Sequence, residues 1–156
     1  MTRAVLLDSG PLGQVVHPKR DSKITKWLKM LQEQSNKLRV PEIADYEVRR
    51  ELLRLKRNKS INRLNQLARY NLIPLDTDTM RTAAELWANI RTEGQPTASN
   101  DSLDGDVILA AQAILQLNNF DEVIVVTTNF NHISRFESVG MQVQDWQELL
   151  DNLDDL

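Results

Sequence analysis

Residues 103–113 have the sequence LDGDVILAAQA, in which two carboxylates lead into a run of small and apolar side chains. The spacing of Val107 and Ala111 places one face of a predicted helix in the core. The alanines leave little side chain to hold this helix away from a neighbouring sheet. Asp104 is predicted as its N-cap, and Asp106 as an acid of the first turn, where a negative charge suits the helix dipole. Asp106 would then lie at the edge of the core on a rigid element.

Length and composition predict a single globular domain spanning residues 1–156. The chain has no cysteine, which excludes disulfides and thiolate metal sites, and its two histidines disfavour a His-rich zinc site. No apolar run approaches the roughly 20 residues that a membrane span needs, and the N-terminus lacks a signal-peptide pattern. We therefore expect a cytoplasmic protein with no membrane partner.

The net charge of −3 hides an asymmetry between the two halves of the chain. Residues 1–78 carry 16 Lys and Arg against 9 Asp and Glu, a balance of +7, whereas residues 79–156 carry 3 against 13, a balance of −10. Basic residues crowd into segment 49–63, as expected of a surface that binds a polyanion. A solvated helix face balanced by acids elsewhere explains the same charges equally well, so the role of this segment stays open.

Two apolar runs predict buried strands, and each of them ends at a polar turn. Residues 3–7 lead into Asp8, and residues 123–126 lead into Thr127 and Asn129. Strands that alternate with helices predict a parallel sheet covered on both faces. Right-handed crossovers then bring the two polar turns and the start of the central helix to one edge of the sheet, where open α/β sheets bind ligands.

The rest of the chain supplies the other layers of this fold. Further helices are predicted over residues 21–36, 42–57, 60–70, from 77 onward and 146–153, and short strands over 38–41, 72–75 and 141–143. Ser60 is the predicted cap of one helix, and residues 94–102 form a polar, mobile loop. Met80 and Trp87 are predicted to face inward, and all three tryptophans are predicted to lie in the core.

Carboxylates gathered at one edge of a sheet cannot all stay ionised without a cation, because like charges raise each other's pKa. A hard divalent ion with oxygen ligands resolves this repulsion, and the ion is usually magnesium or manganese. Such an ion suits phosphoryl chemistry. The chain has no P-loop, no Gly-rich dinucleotide turn and no G-x-S-x-G elbow, so the sequence disfavours the enzyme classes that need them.

The sequence resembles the PIN-domain ribonucleases, in particular the VapC-type toxins of bacterial toxin–antitoxin pairs. Four motifs that together span nearly the whole chain carry the resemblance: LLDS at 6–9, YEVRREL at 46–52, DVILAAQA at 106–113 and VTTNFNHI at 126–133. The resemblance implies a PIN-like α/β fold, a three-layer sandwich whose central, mainly parallel sheet of about five strands is flanked by helices. It also implies an acidic pocket that binds Mg²⁺ or Mn²⁺.

Residue by residue, Asp8, Glu47 and Asp106 match the three acids of the PIN pocket. Asn129 matches the fourth position, which is often Asp in the wider family. An amide adds no charge, so the number of metal ions, one or two, stays open. The resemblance makes Asp8 and Asp106 the main metal ligands. It makes Glu47 either a ligand through water or the group that orients the nucleophile.

The resemblance assigns supporting roles to neighbours of these residues. Ser9 and Thr127 would support the pocket by hydrogen bonds, and Asp104 is either the helix cap or an additional ligand through water. Four arginines could hold the RNA backbone, which the acidic pocket alone would repel: Arg49, Arg50, Arg54 and Arg57.

The implied activity is metal-assisted hydrolysis of RNA phosphodiester bonds, which leaves a 5′-phosphate and a 3′-hydroxyl. Toxins of this kind usually form homodimers and are held inactive by a small antitoxin. A peptide of the antitoxin, often with an Arg, enters the acidic pocket. An Arg pairs with carboxylates bidentately and competes there with the cation.

Other interpretations of single residues stay open at this point. Three acids of the same predicted helix compete with Glu47 for its role: Glu42, Asp45 and Glu51. Taken alone, Glu47 is more typical of an exposed helix acid paired with Arg50. Asn129 could simply end its strand by turn chemistry. His132 is interpreted as a surface or turn residue, because no nucleophile is placed beside it.

Three other functions are weighed against the nuclease. A non-catalytic PIN-type module that binds RNA or protein is favoured by Asn129 and disfavoured by the retained acids. A haloacid-dehalogenase-like phosphatase also has an Asp after its first strand, but it needs a second acid two residues later, where this chain has Gly10. A purely structural or interaction protein would leave the convergence of acids without a cause.

Overall fold

The computed structural model describes residues 1–93 and 100–155, and for residues 100–102 and 155 it describes the backbone alone. In these residues five strands form one sheet: β1 (Arg3–Leu7), β2 (Lys37–Pro41), β3 (Leu72–Ile73), β4 (Glu122–Thr127) and β5 (Gln142–Asp145). The strand order is β3-β2-β1-β4-β5, and each neighbouring pair is parallel. The predicted parallel sheet is therefore confirmed.

Helices connect the strands and cover the sheet. They are α1 (Ser9–Val15), α2 (Ser22–Glu33), α3 (Glu42–Arg54), α4 (Asn58–Asn71), α5 (Thr77–Thr92), α6 (Asn100–Gln116), α7 (Phe130–Ile133) and α8 (Trp146–Asp151), with 3₁₀ turns at Ser134–Val139 and Leu153–Asp155. Of the helices in the described ranges, none is both long and apolar enough to cross a membrane.

Two hydrophobic cores lie on opposite faces of the sheet, because side chains alternate along each strand. Leu6 and Val125 are buried in the core that α5 and α6 cover. Leu7 and Val126 are buried in the other core, which α1, α2, α4 and α8 cover. The three layers confirm the predicted sandwich.

β1 is the central strand, and the chain leaves it in both directions. β2 pairs with one edge of β1 and β4 with the other, so the strand order reverses between β1 and β4. The crevice at the carboxyl ends of these two strands is the topological switch point, where open α/β sheets bind ligands.

Helix α6 begins earlier than the sequence predicted. It starts at Asn100, so Asp104 is not its N-cap and Asp106 lies in its second turn rather than its first. The prediction failed because residues 100–102 were assigned to the polar loop, whereas the helix includes them. Residues 94–99 of the predicted polar loop lie outside the described residues.

Two other local predictions were wrong. α4 begins at Asn58, so Ser60 is a buried residue of its first turn and not its cap. In α5, Met80 and Trp87 are 46% and 39% exposed, because the buried stripe of this helix passes through Thr79, Ala83 and Leu86. The predicted face was displaced by about one residue around the helix.

The other two tryptophans lie in the core, as predicted. The rings of Trp27 and Trp146 meet edge to face with their centroids 5.0 Å apart. The Trp146 Nε1–H donates to Gln14 Oε1 at 2.9 Å, which satisfies the one polar atom of a ring that is 1% exposed. This contact ties α8 to α1.

The N-terminus of α1 packs against the turn after β4, and Gly10 makes this approach possible. A Cβ at Gly10 would overlap Thr128 Oγ1 and lie 2.9 Å from Thr128 Cγ2. Because real Cβ atoms do not make such contacts, any other residue at position 10 forces either the Thr128 side chain or α1 to shift.

We predict that Gly10→Ala lowers the free energy of unfolding by about 1–3 kcal/mol, the usual cost of overpacking. Gly13→Ala is the matched control, because a Cβ there meets nothing within 4 Å. It should be neutral or stabilise α1 by roughly 0.5–1 kcal/mol. Urea unfolding measures both variants, and Thr128→Ala should recover part of the Gly10→Ala loss. Equal stabilities for the two glycine variants would contradict the close packing.

Candidate active site

Asp8 is the residue where β1 ends and α1 begins, and both of its carboxylate oxygens accept hydrogen bonds. The Ser9 N–H donates to Oδ1 at 2.7 Å, and the Thr127 hydroxyl donates to Oδ2 at 2.7 Å. Thr127 Oγ1 in turn accepts the Asn129 N–H at 2.9 Å. Burial nevertheless raises the pKa of Asp8, against the lowering effect of these two hydrogen bonds. The carboxylate is thus held in one orientation at the switch point.

Asp106 projects from α6 toward the same crevice, with a side chain that is 14% exposed. Among the described residues, its buried Oδ2 has no hydrogen-bond partner, and His132 Nδ1 lies 3.8 Å away without one either. Burial and the charge of Asp8 raise the pKa of Asp106 to about 6, although Arg135 works in the opposite direction. An unsatisfied buried carboxylate oxygen is costly, and it indicates a site for a cation or donor.

Glu47 reaches the crevice from the second turn of α3. Burial raises its pKa most, and the charges of Asp8 and Asp106 raise it further, while Arg50 lowers it. A Cβ at Gly105 would lie 3.4 Å from Glu47 Oε2, so the glycine leaves room for this carboxylate beside α6. The three acids that were predicted from distant segments therefore lie close enough to repel one another.

The other acids of α3 make contacts elsewhere. Glu42 Oε1 accepts the Leu75 N–H at 2.8 Å, which links α3 to the segment after β3. Asp45 binds the Arg49 guanidinium through both oxygens at 2.8 and 3.0 Å. Glu51 pairs with Arg54 on the exposed side of the helix. Among the four acids of this helix, Glu47 is the one that the charges of Asp8 and Asp106 reach.

Of the four arginines that were predicted to contact RNA, Arg50 lies beside the acids. Arg49 is held by Asp45 and also donates to Asn65 Oδ1 at 2.6 Å. Arg54 pairs with Glu51. Arg57 lies at the turn between α3 and α4, where its backbone N–H donates to the Leu52 carbonyl.

Asn129 and Asp104, which were also predicted at the site, are both exposed. Asn129 is exposed and occupies the N-cap position of α7 without a capping hydrogen bond from its side chain. Asp104 is exposed on α6 and lines a groove of about 410 Å³ with Met80, Trp87 and Ile108 of α5 and α6.

Two residues at this site were not foreseen. His132 was interpreted as a surface or turn residue, yet its Nδ1 lies 3.8 Å from Asp106 Oδ2. Arg135 was not singled out, yet its charge lowers the pKa of Asp106. The motif at 126–133 contains His132 but ends before Arg135. Its helical turn was too short to be read from periodicity.

The donor set suits a hard divalent cation in its chemistry, because it consists of carboxylate oxygens of which one is buried and unpaired. In the described part of the chain, however, no group of three or more acidic or histidine side chains is arranged to hold a metal ion. A cation would have to draw the three carboxylates closer together. Asp8 is fixed by its hydrogen bonds, and Glu47 has the longer side chain that can rotate.

We predict that Asp106→Asn stabilises the metal-free protein at neutral pH by on the order of 1 kcal/mol, with allowance for solvent screening. The pKa of Asp106 is about 6 in the folded protein against 3.8 in the unfolded chain. Protonation of Asp106 therefore favours the folded state, and its contribution to the free energy of unfolding is complete below pH 3.8. That contribution is lost as the pH rises through 6. Urea unfolding with chelator should therefore show the gain at neutral pH and no gain in acid.

Asp104→Asn is the control for this change, because it removes an exposed carboxylate from the same helix. It should leave the stability almost unaltered at either pH. A clear loss of stability in Asp106→Asn at neutral pH would instead mean that the carboxylate supports the fold.

Comparisons with known proteins give relatives in structure alone. No family model and no curated protein matches the sequence. The chain is similar to VapBC2 from Rickettsia felis bound to a DNA fragment from their promoter, with a TM-score of 0.70 and 18% identity over 92% of this chain and 98% of the other. VapBC-1 from nontypeable Haemophilus influenzae aligns with a TM-score of 0.63 and 19% identity over 92% and 98%. FitAcB from Neisseria gonorrhoeae aligns with a TM-score of 0.61 and 19% identity over 89% of this chain and 95% of the other. Likeness at this identity establishes the fold, and the chain has the PIN-like fold that its motifs predicted.

Proposed function

We propose that this chain is a metal-dependent endoribonuclease of the VapC type and acts as the toxin of a toxin–antitoxin pair. The observation that carries the proposal is the meeting of Asp8, Glu47 and Asp106 at the switch point of the sheet. Such a cluster destabilises the metal-free fold, and a divalent cation relieves it. The similarity to VapBC and FitAcB structures supports the toxin assignment.

Asp8 and Asp106 would hold the ion, with Glu47 as a further ligand or as the group that orients the attacking water. When bound, a divalent ion polarises the phosphodiester, lowers the pKa of the attacking water and stabilises the leaving oxygen. Thr127 and Ser9 keep the Asp8 carboxylate in place through their two hydrogen bonds. The hydrolysis would leave a 5′-phosphate and a 3′-hydroxyl.

RNA must approach a pocket of like charge, so the substrate needs cations around the acids. Arg50 is close enough to lower the pKa of Glu47, and it is exposed to solvent. Segment 49–63 adds further positive charge on α3 and α4. These cations would attract the backbone phosphates and offset the repulsion.

An antitoxin would inhibit this pocket by the same electrostatics. An Arg from a partner peptide would pair with the unsatisfied Asp106 carboxylate and compete with the metal ion.

A second groove of about 500 Å³ between α1, α2 and α4 has an apolar floor that includes Leu28 and Leu67, with Arg20 and Arg63 among its polar residues. Its charge suits an amphipathic, acidic segment of that partner. By resemblance, the toxin would form a homodimer.

The second candidate is a PIN-type module that binds RNA or protein without cleaving it. Asn129 at the fourth position adds no charge, and the acids of the described residues are not prearranged around an ion. This module and the nuclease differ in one measurable property, which is cleavage.

We predict that the purified chain cleaves RNA with Mg²⁺ or Mn²⁺ and that Asp8→Asn or Asp106→Asn lowers the rate by about 100-fold or more. Glu47→Gln should cause a comparable loss, because it removes the third carboxylate of the cluster. A 5′-labelled RNA resolved on a denaturing gel gives the rates and the end groups.

Glu51→Gln is the matched control, because Glu51 lies one turn further along α3 and pairs with exposed Arg54. It should cleave as fast as the unaltered chain. Equal activity in all variants would point to a contaminating nuclease and remove the site assignment. Metal binding without cleavage of any RNA would favour the non-catalytic module.

A further inference from the structure

Tyr46 of α3 is a large aromatic side chain that stands in solvent immediately before Glu47 in the chain. Its relative exposure is 55%, and the Arg50 guanidinium lies 5.1 Å from the centroid of its ring. A single exposed tyrosine needs no explanation on a protein surface. Its position is informative, because Tyr46 precedes Glu47 and Arg50 follows it one turn later on the same helix.

Arg50 connects this ring to the site electrostatically. Its charge acts on Glu47, and in the described residues no carboxylate lies within ion-pair distance of its guanidinium. Its neighbours Arg49 and Arg54 are already paired with Asp45 and Glu51. The Arg50 guanidinium is therefore available to bind an incoming anion. It lies over the Tyr46 ring and is not held by a carboxylate.

A similar pair elsewhere shows which part of this arrangement matters. Arg69 lies 5.4 Å from the ring centroid of Tyr70, which is 77% exposed at the end of α4. In the part of the chain that the structure describes, neither Arg69 nor Tyr70 is among the groups that shift the pKa of Asp8, Glu47 or Asp106. An aromatic ring with a stacked guanidinium is thus an ordinary surface feature, and its placement beside Glu47 is what distinguishes Tyr46.

We propose that Tyr46 and Arg50 form a nucleotide platform, in which the Tyr46 ring stacks on an unpaired base and Arg50 binds an adjoining backbone phosphate. The platform rests on the proposed nuclease function and deepens it, because it names two residues that would bind the substrate next to Glu47. Bases in a duplex are already stacked and shielded, so a ring on the protein surface can take a base only from a single-stranded segment. The platform therefore binds RNA at an unpaired nucleotide.

The test measures binding without cleavage, by fluorescence anisotropy of labelled oligoribonucleotides in buffer with chelator. One probe is a single-stranded homopolymer, and the second is an abasic oligomer of the same length and charge. Tyr46→Ala should weaken binding of the first by about 5- to 100-fold, the usual range for loss of one stacked base, and leave the second unchanged. Tyr46→Phe keeps the ring and should bind like the unaltered chain.

Tyr70→Ala is the matched control, because it removes the more exposed tyrosine of the similar pair. It should bind both probes as the unaltered chain does. Arg50→Gln should reduce the slope of log affinity against log salt by about 0.7, as expected for one phosphate contact on a single strand, and Arg69→Gln should leave it unaltered.

Equal binding of the two probes by the unaltered chain, or equal losses in Tyr46→Ala and Tyr70→Ala, would overturn the platform. Metal-dependent cleavage assays on the same proteins separate this failure from failure of the nuclease. If the unaltered chain cleaves RNA but Tyr46→Ala binds it equally well, the platform alone falls. If the unaltered chain neither binds nor cleaves RNA, both proposals fall.

Discussion

The parallel pairing of β1 with β4 is the constraint on which the site depends. Leu7 pairs with Val126 in this register, so the residues that follow the two strands, Asp8 and Thr127, meet at the same level. The Thr127 hydroxyl then donates to the Asp8 carboxylate, and Gly10 lets the first helix begin close to this edge. A slip of one residue between the strands would turn Thr127 to the other face and leave Asp8 without this donor.

The same geometry stabilises the fold and strains the site. Two hydrophobic cores cover the faces of the sheet, and burial of their apolar surface stabilises the fold. This stabilisation offsets the unfavourable free energy of burying several acids together. Asp106 illustrates the consequence, because its unpaired Oδ2 and raised pKa have no structural benefit in the metal-free chain. A neutral residue at this position would avoid that cost, and the proposed metal site would account for the carboxylate.

The residues alone predicted the fold and the meeting of Asp8 with the central helix α6, because both depend on long-range rules with clear signals. Glu47 was assigned only through the family resemblance, since its own sequence context is that of an exposed helix acid. Apolar runs that end at Asp8 and Asn129, alternation of strands with helices, and right-handed crossovers are enough to bring those residues to one edge. Local details were predicted less well, since α6 begins within the predicted polar loop and the buried stripe of α5 is displaced by about one residue. The role of Gln112 was invisible, because this buried amide accepts the Ile43 N–H and donates to the Ile73 carbonyl, far away in sequence.

Binding of manganese by the metal-free chain is the most direct test of the central claim that Asp8, Glu47 and Asp106 form one metal-binding centre. Isothermal titration of Mn²⁺ into the unaltered protein, and into the Asp8→Asn and Asp106→Asn double variant, measures it without reference to any substrate. We expect a saturable site in the unaltered chain that the double variant lacks. No saturable binding, or identical binding by the two proteins, would contradict it.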